Sequence, residues 1–231
     1  MAVEKIAVIP AYEPDARMLE LAERVRDEGF RLLLVDDGSG PDYADLFRKA
    51  EEFGSVISYP ENHGKGYALK AAFTWLLKHQ KDDCHIITLD SDGQHTMKDA
   101  LRLFAELQKA PEALWLGSRF LPKDAPLRSR IGNDINRFLF RKCTHTEVYD
   151  VQTGMRAFSS SLIPLMLQSA GNRYEYEMNV LLDIAKKKIP IREIEIETIY
   201  IDNNSSSHFK PLRDSFRIYW QIIRSFGRFR R

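Results

Sequence analysis

The sequence predicts an α/β fold in which a mostly parallel sheet is wrapped by helices. Short apolar segments rich in β-branched or bulky residues recur along the chain, at 5–9, 31–35, 55–58, 85–89 and 113–117. Stretches with helical periodicity lie between them, for example at 18–25 and 68–76. Alternation of strands and helices with short turns is typical of parallel sheets covered by helices.

Length and composition fit a single globular protein with a sizeable core. The chain has 231 residues, of which 44% are hydrophobic and 29% charged. No apolar run approaches the roughly 18 residues of a membrane-spanning helix, and the first residues lack the layout of a secretory signal. We therefore expect a cytosolic location. Cys84 and Cys143 show no metal-binding spacing, so we expect reduced structural thiols.

The basic charge is concentrated at the C-terminus. Segment 210–231 contains seven basic residues and one acidic residue within a chain of net charge +1. Its apolar residues are spaced to form one helical stripe: Leu212, Phe216, Tyr219, Ile223 and Phe226. Basic amphipathic helices of this kind lie on anionic membrane surfaces, although the stripe could instead pack on the protein's own sheet. We expect no nucleic-acid binding, because the basic patch is short and the remainder is acidic.

Polar motifs follow four of the predicted strands. They are Pro10, Ala11, Tyr12 and Glu13 after the first, then segments 36–39, 61–66 and 90–95 after the next three. The carboxyl ends of parallel strands meet at one edge of a sheet, where such folds bind ligands. The four motifs are therefore predicted to converge on one crevice.

Asp90 and Asp92 are two carboxylates one residue apart at the end of a predicted buried strand. Such a pair suits Mg²⁺ or Mn²⁺, which retain waters and are held by one or two carboxylates together with substrate phosphates. The alternative is a strand-ending turn, since Asp, Ser and Gly favour turns for local reasons.

The second and third motifs suggest contacts to a nucleotide. Asp37 can accept hydrogen bonds from a base or ribose, or it can belong to a simple Asp-Gly turn. Lys65 lies between two glycines where a helix begins, which favours an anion. The segment is not a P-loop, because the required glycine and Ser/Thr are missing from their positions.

The second half of the chain offers arginines suited to a phosphate monoester. Arg119 follows the fifth predicted strand, and Arg128 and Arg130 open a predicted helix through Ile135. Arg128 and Arg130 could equally be ordinary solvated arginines. Further along are Asp150, Gly154, Arg156 and, at the start of another helix, Glu177, which could be simple turn and helix-terminal residues.

Taken in order, the motifs resemble those of inverting glycosyltransferase family 2, in particular the dolichol-phosphate mannose synthase and polyprenyl-phosphate glycosyltransferase group. The matching segments cover nearly the whole chain: 9–12, 35–39, 62–66, 90–95, 117–120 and 150–156. The resemblance implies a GT-A fold, with a nucleotide-sugar half at 1–105, an acceptor half at 106–209 and the basic amphipathic tail at 210–231.

The resemblance also implies roles for individual residues. The donor, a UDP- or GDP-linked sugar, would be bound by Pro10, Ala11, Tyr12, Glu13, Asp37, Lys65, Asp90, Ser91 and Asp92. The metal, Mg²⁺ or Mn²⁺, would be held by Asp90 and Asp92, with Gln94 near the same site. The phosphate of a polyprenyl acceptor would be received by Arg119 with Arg128 or Arg130.

The identity of the acceptor decides whether a general base is needed. A polyprenyl phosphate is already anionic, whereas a saccharide hydroxyl needs a carboxylate base, for which Asp150 and Glu177 are the candidates. We expect transfer to polyprenyl phosphate. The alternatives are a saccharide acceptor, a binding protein without turnover that scaffolds a membrane partner, and a nucleotidyltransferase, for which the Gly-rich loop after the first strand is missing.

Many members of this group have membrane-spanning helices after the catalytic domain. We expect either a peripheral enzyme held at the cytosolic face of the membrane by its tail, or a portion of a longer protein that continues into a membrane domain.

Overall fold

A seven-stranded sheet with the order β3-β2-β1-β4-β6-β5-β7 forms the centre of the computed structural model, which describes residues 3–119 and 127–197, without the side chains of 127–133. The strands are β1 (Glu4–Ala11), β2 (Arg31–Asp36), β3 (Gly54–Ser58), β4 (Cys84–Thr88), β5 (Leu114–Ser118), β6 (Arg156–Ser159) and β7 (Ile191–Glu195). Only β6 runs against its neighbours β4 and β5. The predicted mostly parallel α/β fold is confirmed.

Seven α-helices are described in these ranges: α1 (Arg17–Asp27), α2 (Ala44–Ala50), α3 (Lys65–His79), α4 (Met97–Lys109), α5 (Leu127–Thr144), α6 (Ile163–Gln168) and α7 (Glu175–Lys186). The helices predicted at 18–25 and 68–76 are α1 and α3. None of the described helices is both long and apolar enough to cross a bilayer. The amphipathic helix predicted for the tail at 210–231 lies outside the described residues.

The central strands of the sheet are buried on both faces. In β1, Ile6 and Val8 pack with α3, α6 and α7, whereas Ala7 and Ile9 pack on the opposite face with α1 and α4. Successive strand residues point to opposite faces, so a strand covered on both sides needs apolar residues at consecutive positions. This burial explains the short continuous apolar runs from which the strands were predicted.

Strands β6 and β7 were not predicted. The four-residue β6 begins with the buried Arg156, and three of the five residues of the edge strand β7 are charged, so neither has a continuous apolar run. Because β6 is antiparallel, its first residue lies beside the carboxyl ends of β4 and β5, where Thr88 and Leu116 pair with Arg156. The segment that precedes β6 is thereby brought to the same edge as the polar motifs.

Candidate active site

A cavity of about 490 Å³ opens at the carboxyl ends of the parallel strands. It lies where the strand order reverses, with β2 and β3 on one side of β1 and β4 on the other. Its lining includes all nine residues predicted to bind the donor, namely Pro10, Ala11, Tyr12, Glu13, Asp37, Lys65, Asp90, Ser91 and Asp92. The predicted convergence of four strand ends is confirmed, while the role of each residue stays a prediction.

Asp37 organises one wall of the cavity. Its buried carboxylate accepts hydrogen bonds from the Tyr59 hydroxyl at 2.7 Å, Asn62 Nδ2 at 2.9 Å and the backbone amides of His63 and Gly64 at 3.0 and 2.8 Å. Burial and the contact with Asp37 raise the pKa of Tyr59, so its hydroxyl remains a donor. Asp37 thus holds the loop before α3, and a direct contact to a nucleoside stays a prediction.

Lys65 is the first residue of α3, and its ammonium forms two ion pairs inside the site. The preceding Gly64 has φ +102°, and a Cβ there would lie 2.5 Å from Arg173 Cγ, so this junction requires glycine. Lys65 Nζ lies 2.7 Å from Asp90 Oδ1 and 3.0 Å from Glu177 Oε2. Burial alone lowers the pKa of Lys65, but Asp90 and Glu177 outweigh burial and raise it.

Asp90 is held at the floor of the cavity. A Cβ on Gly154 would lie 2.3 Å from Asp90 Oδ2, so the turn before β6 can approach the carboxylate only because residue 154 is glycine. The Asp90 backbone amide donates to His95 Nδ1 at 3.1 Å. Burial alone raises the pKa of Asp90, but the ammonium of Lys65 reverses that effect and holds the pKa well below its usual range.

Asp92 completes a pair of like charges. Its Oδ1 accepts the backbone amide of Gln94 at 3.0 Å, and burial and the neighbouring Asp90 raise the pKa of Asp92. Within the described ranges, no three His, Cys, Asp or Glu side chains assemble into a metal cage. Two oxygen-donor carboxylates beside an open cavity fit a hard divalent cation that shares its ligands with substrate phosphates. The role of Gln94 as a ligand stays a prediction.

Arg119 and Asp150 form an ion pair beside the cavity. Arg119 Nε lies 3.2 Å from Asp150 Oδ2, which also accepts the Arg119 backbone amide at 3.4 Å. Asp150 raises the pKa of Arg119, with smaller contributions from Asp90 and Asp92. The negative charges of Asp90 and Asp92 therefore also favour the protonated guanidinium. The side chains of Arg128 and Arg130 lie outside the described residues.

Comparison with known proteins identifies the family. The model for glycosyl transferase family 2 matches residues 6–164. The chain belongs to glycosyltransferase family 2. It is therefore a glycosyltransferase enzyme.

Two relatives of this glycosyltransferase are named for polyprenyl-phosphate acceptors. The UDP-N-acetylglucosamine--dolichyl-phosphate N-acetylglucosaminyltransferase of Methanococcus voltae is 26% identical, over 94% of this chain and 93% of that protein. The undecaprenyl-phosphate 4-deoxy-4-formamido-L-arabinose transferase of Proteus mirabilis is also 26% identical, over 87% of this chain and 61% of that protein. The resemblance to the polyprenyl-phosphate group is confirmed.

The fold also matches a solved structure. Glucosyl-3-phosphoglycerate synthase from Mycobacterium tuberculosis, in complex with Mn²⁺, uridine diphosphate and glucosyl-3-phosphoglycerate, superimposes with a TM-score of 0.66. The match covers 98% of this chain and 81% of that chain at 16% identity. The GT-A type fold expected from the motifs is confirmed.

The glycosyltransferase has cavity residues that the sequence did not reveal as site residues. Arg173 and Tyr174 line the cavity, and Arg173 Nη1 donates to Asn62 Oδ1 at 3.3 Å. Their segment reaches the site because the Tyr67 amide of α3 donates to the Asn172 carbonyl at 2.9 Å. The acidic residues at the start of α7 were the one sequence signal near this segment, and their spacing does not predict a contact with α3.

Proposed function

We propose that this glycosyltransferase is a divalent-metal-dependent, inverting enzyme that transfers a hexose from a nucleotide diphosphate sugar to a polyprenyl phosphate at a membrane surface. Relatives named for dolichyl-phosphate and undecaprenyl-phosphate acceptors support the acceptor class. The related synthase bound to Mn²⁺ and uridine diphosphate supports a divalent cation and favours a uridine nucleotide over a guanosine nucleotide.

On the donor side, Asp90 and Asp92 would hold Mg²⁺ or Mn²⁺ against the diphosphate, with Gln94 beside them. A cation bound there neutralises charge on the departing nucleoside diphosphate and orients it. The segment Pro10 to Glu13 lies across the same cavity and would enclose the nucleoside. Lys65 holds the Asp90 carboxylate in place.

The observation that carries the acceptor assignment is that both candidate bases are buried and paired with a cationic side chain. Asp150 is 5% exposed, and its carboxylate accepts hydrogen bonds from Arg119 and from the Gln152 backbone amide. Glu177 is 6% exposed, with Oε2 paired to Lys65 and Oε1 buried without a hydrogen-bond partner among the described residues. Because both carboxylates are buried and paired with a cation, an acceptor that is already anionic suits the site better than a hydroxyl that must lose a proton.

The reaction then needs few groups from the protein. Arg119 binds and orients the acceptor phosphate. An anionic oxygen of that phosphate attacks the anomeric carbon of the donor sugar from the face opposite the diphosphate. The new C–O bond forms as the bond to the nucleoside diphosphate breaks, so the configuration inverts and no proton has to be removed. Because the acceptor is a membrane lipid, the enzyme works as a peripheral protein at the bilayer surface.

A donor panel tests this proposal. Purified protein is incubated with UDP- and GDP-linked hexoses and with vesicles containing undecaprenyl or dolichyl phosphate, and glycolipids are identified by mass spectrometry. We expect a sugar-phosphate-lipid product with Mg²⁺ or Mn²⁺ and none with EDTA. Product that persists in EDTA contradicts the metal assignment, and product on free saccharides alone contradicts the acceptor assignment.

Vesicle binding is read from the same mixtures. Sedimentation of the protein with anionic vesicles is expected, and an entirely soluble protein that still uses lipid acceptors in detergent would contradict the peripheral membrane location.

A further inference from the structure

Glu193, on the edge strand β7, accepts hydrogen bonds from the backbone of Asp150 and from Ser118, the residue before Arg119. Its two carboxylate oxygens each accept the Tyr149 backbone amide at 2.9 Å, and Oε1 also accepts the Asp150 amide at 3.2 Å. The Ser118 hydroxyl donates to the same Oε1. One carboxylate therefore gathers donors from two separate segments, the end of β5 and the loop before β6.

Strand register explains how Glu193 reaches both segments. In the parallel pair of β5 and β7, Leu116 lies opposite Glu193, two residues before the last residue of β5. Arg119 is the next residue after that strand end. The loop that contains Asp150 returns to the same edge because β6 runs antiparallel between β4 and β5.

The contacts continue from Glu193 to the guanidinium. Glu193 holds the Asp150 backbone, and the Asp150 carboxylate accepts both the backbone amide and Nε of Arg119. We propose that Glu193 is a positioning residue for acceptor binding, which acts through Asp150 to hold Arg119 where an acceptor phosphate binds. This inference rests on the acceptor-binding role of Arg119 under the proposed function.

The chemistry of the contacts calls for a carboxylate. The hydroxyl of Ser118 and the amides of Tyr149 and Asp150 all donate to Glu193, and an ionised carboxylate offers acceptors only. A glutamine has nearly the same shape but would turn an NH₂ group toward donors. Glu193→Gln should therefore loosen the Arg119 position without removing bulk.

Chemical modification reads this positioning without any assay of transfer. Phenylglyoxal reacts with accessible arginines, and modification of Arg119 is followed by peptide mass spectrometry in the 231-residue protein. We expect Arg119 to react several-fold faster in Glu193→Gln than in wild type. The matched control is Glu195→Gln, an exposed glutamate on the same strand, which should leave the rate unchanged. Equal rates for Arg119 in all three proteins would overturn the inference.

Kinetics separate acceptor positioning from general damage. With undecaprenyl phosphate, Glu193→Gln should raise the acceptor KM roughly 10- to 100-fold, as small misplacements of orienting groups do. The donor KM and the slow hydrolysis of donor should stay at wild-type values. Parallel loss of donor and acceptor functions would contradict a role through Arg119.

A double-mutant cycle decides whether the effect passes through Arg119. In an Arg119→Ala background, Glu193→Gln should add nothing, whereas an independent effect would lower transfer by the same factor in both backgrounds. If Glu193→Gln does not fold, Ser118→Ala removes one donor to the carboxylate and should act in the same direction at smaller size. If the wild-type protein fails to glycosylate lipid phosphate, the proposed function is wrong. The phenylglyoxal rates still show whether Glu193 holds Arg119 in position.

Discussion

The proposed donor side and the proposed acceptor side of the site are built in different ways. The donor side is built on parallel strands, and its cavity lining includes the carboxylates Asp37, Asp90 and Asp92. The acceptor side joins the end of β5 to the loop before β6, where Arg119 pairs with Asp150. A surface rich in carboxylates suits a diphosphate that arrives with a divalent cation, whereas an arginine suits a phosphate that arrives without one.

On both sides, however, a single carboxylate holds a loop by accepting several hydrogen bonds. On the donor side, the Asp37 carboxylate accepts four hydrogen bonds that fix the loop before α3. On the acceptor side, Glu193 accepts hydrogen bonds from the loop before β6 and from the end of β5. In each case neutral hydroxyl or amide groups donate to the carboxylate, and these hydrogen bonds tie its loop to the rest of the site.

The largest effect should come from the donor side. Asp92→Asn keeps the shape of the side chain but removes one charge from the proposed metal pair, so transfer should fall by at least about 10³-fold. Binding of uridine diphosphate, measured by calorimetry, should lose its dependence on Mn²⁺. The exposed Asp42→Asn is the matched control and should behave as wild type. Wild-type activity of Asp92→Asn would show that the donor side does not depend on a metal held by Asp92.

A smaller and one-sided effect is expected from the acceptor side. Arg119→Ala removes the charged donor to the acceptor phosphate and leaves Asp150 unpaired, so the acceptor KM should rise about 100-fold. Hydrolysis of the donor without acceptor should continue at the wild-type rate. The exposed Arg24→Ala of α1 controls for loss of positive charge. Equal loss of transfer and hydrolysis would show that Arg119 serves the donor.

Glu177 tests whether the boundary between the sides follows the chain. It lies in α7, within the predicted acceptor half, yet it contacts Lys65 at 3.0 Å. Glu177→Gln should therefore raise the donor KM about tenfold, as loss of a hydrogen bond to a charged group does, and leave the acceptor KM unchanged. Steady-state kinetics with each substrate varied in turn measure the split, and the partly exposed Glu106→Gln is the control. A change in the acceptor KM alone would assign Glu177 to the other side.

The smallest effect concerns the two cysteines, one in each half. Cys84 of β4 and Cys143 of α5 are buried, and burial raises the pKa of Cys84 and raises the pKa of Cys143 to about 11. The thiolate is the reactive form, so neither residue should react with a disulfide reagent at neutral pH in the folded protein. Both should react after unfolding in guanidinium. Rapid labelling of one cysteine alone would show that its half opens independently.

The sequence predicted the donor side better than the acceptor side for a physical reason. The donor strands β1, β2 and β4 are short, mostly buried apolar runs, and a polar motif follows each of them and β3, so parallel topology alone brings the motifs together. Strand β6 holds its place through pairing with two strands far away in sequence, and β7 is a partly exposed edge strand. Glu193 and Arg173 owe their positions to such contacts, and no local pattern marks them.

The central claim is that the nucleophile is a lipid phosphate, and a matched pair of acceptors tests it most directly. Undecaprenyl phosphate and undecaprenol share one lipid chain and differ only in the phosphate. Vesicles containing both in equal amounts are incubated with wild-type protein, labelled donor sugar and Mn²⁺, and the products are separated. All label should appear in an inverted sugar-phosphate-lipid. Label in an undecaprenyl glycoside would show that the enzyme activates a hydroxyl and would contradict the account.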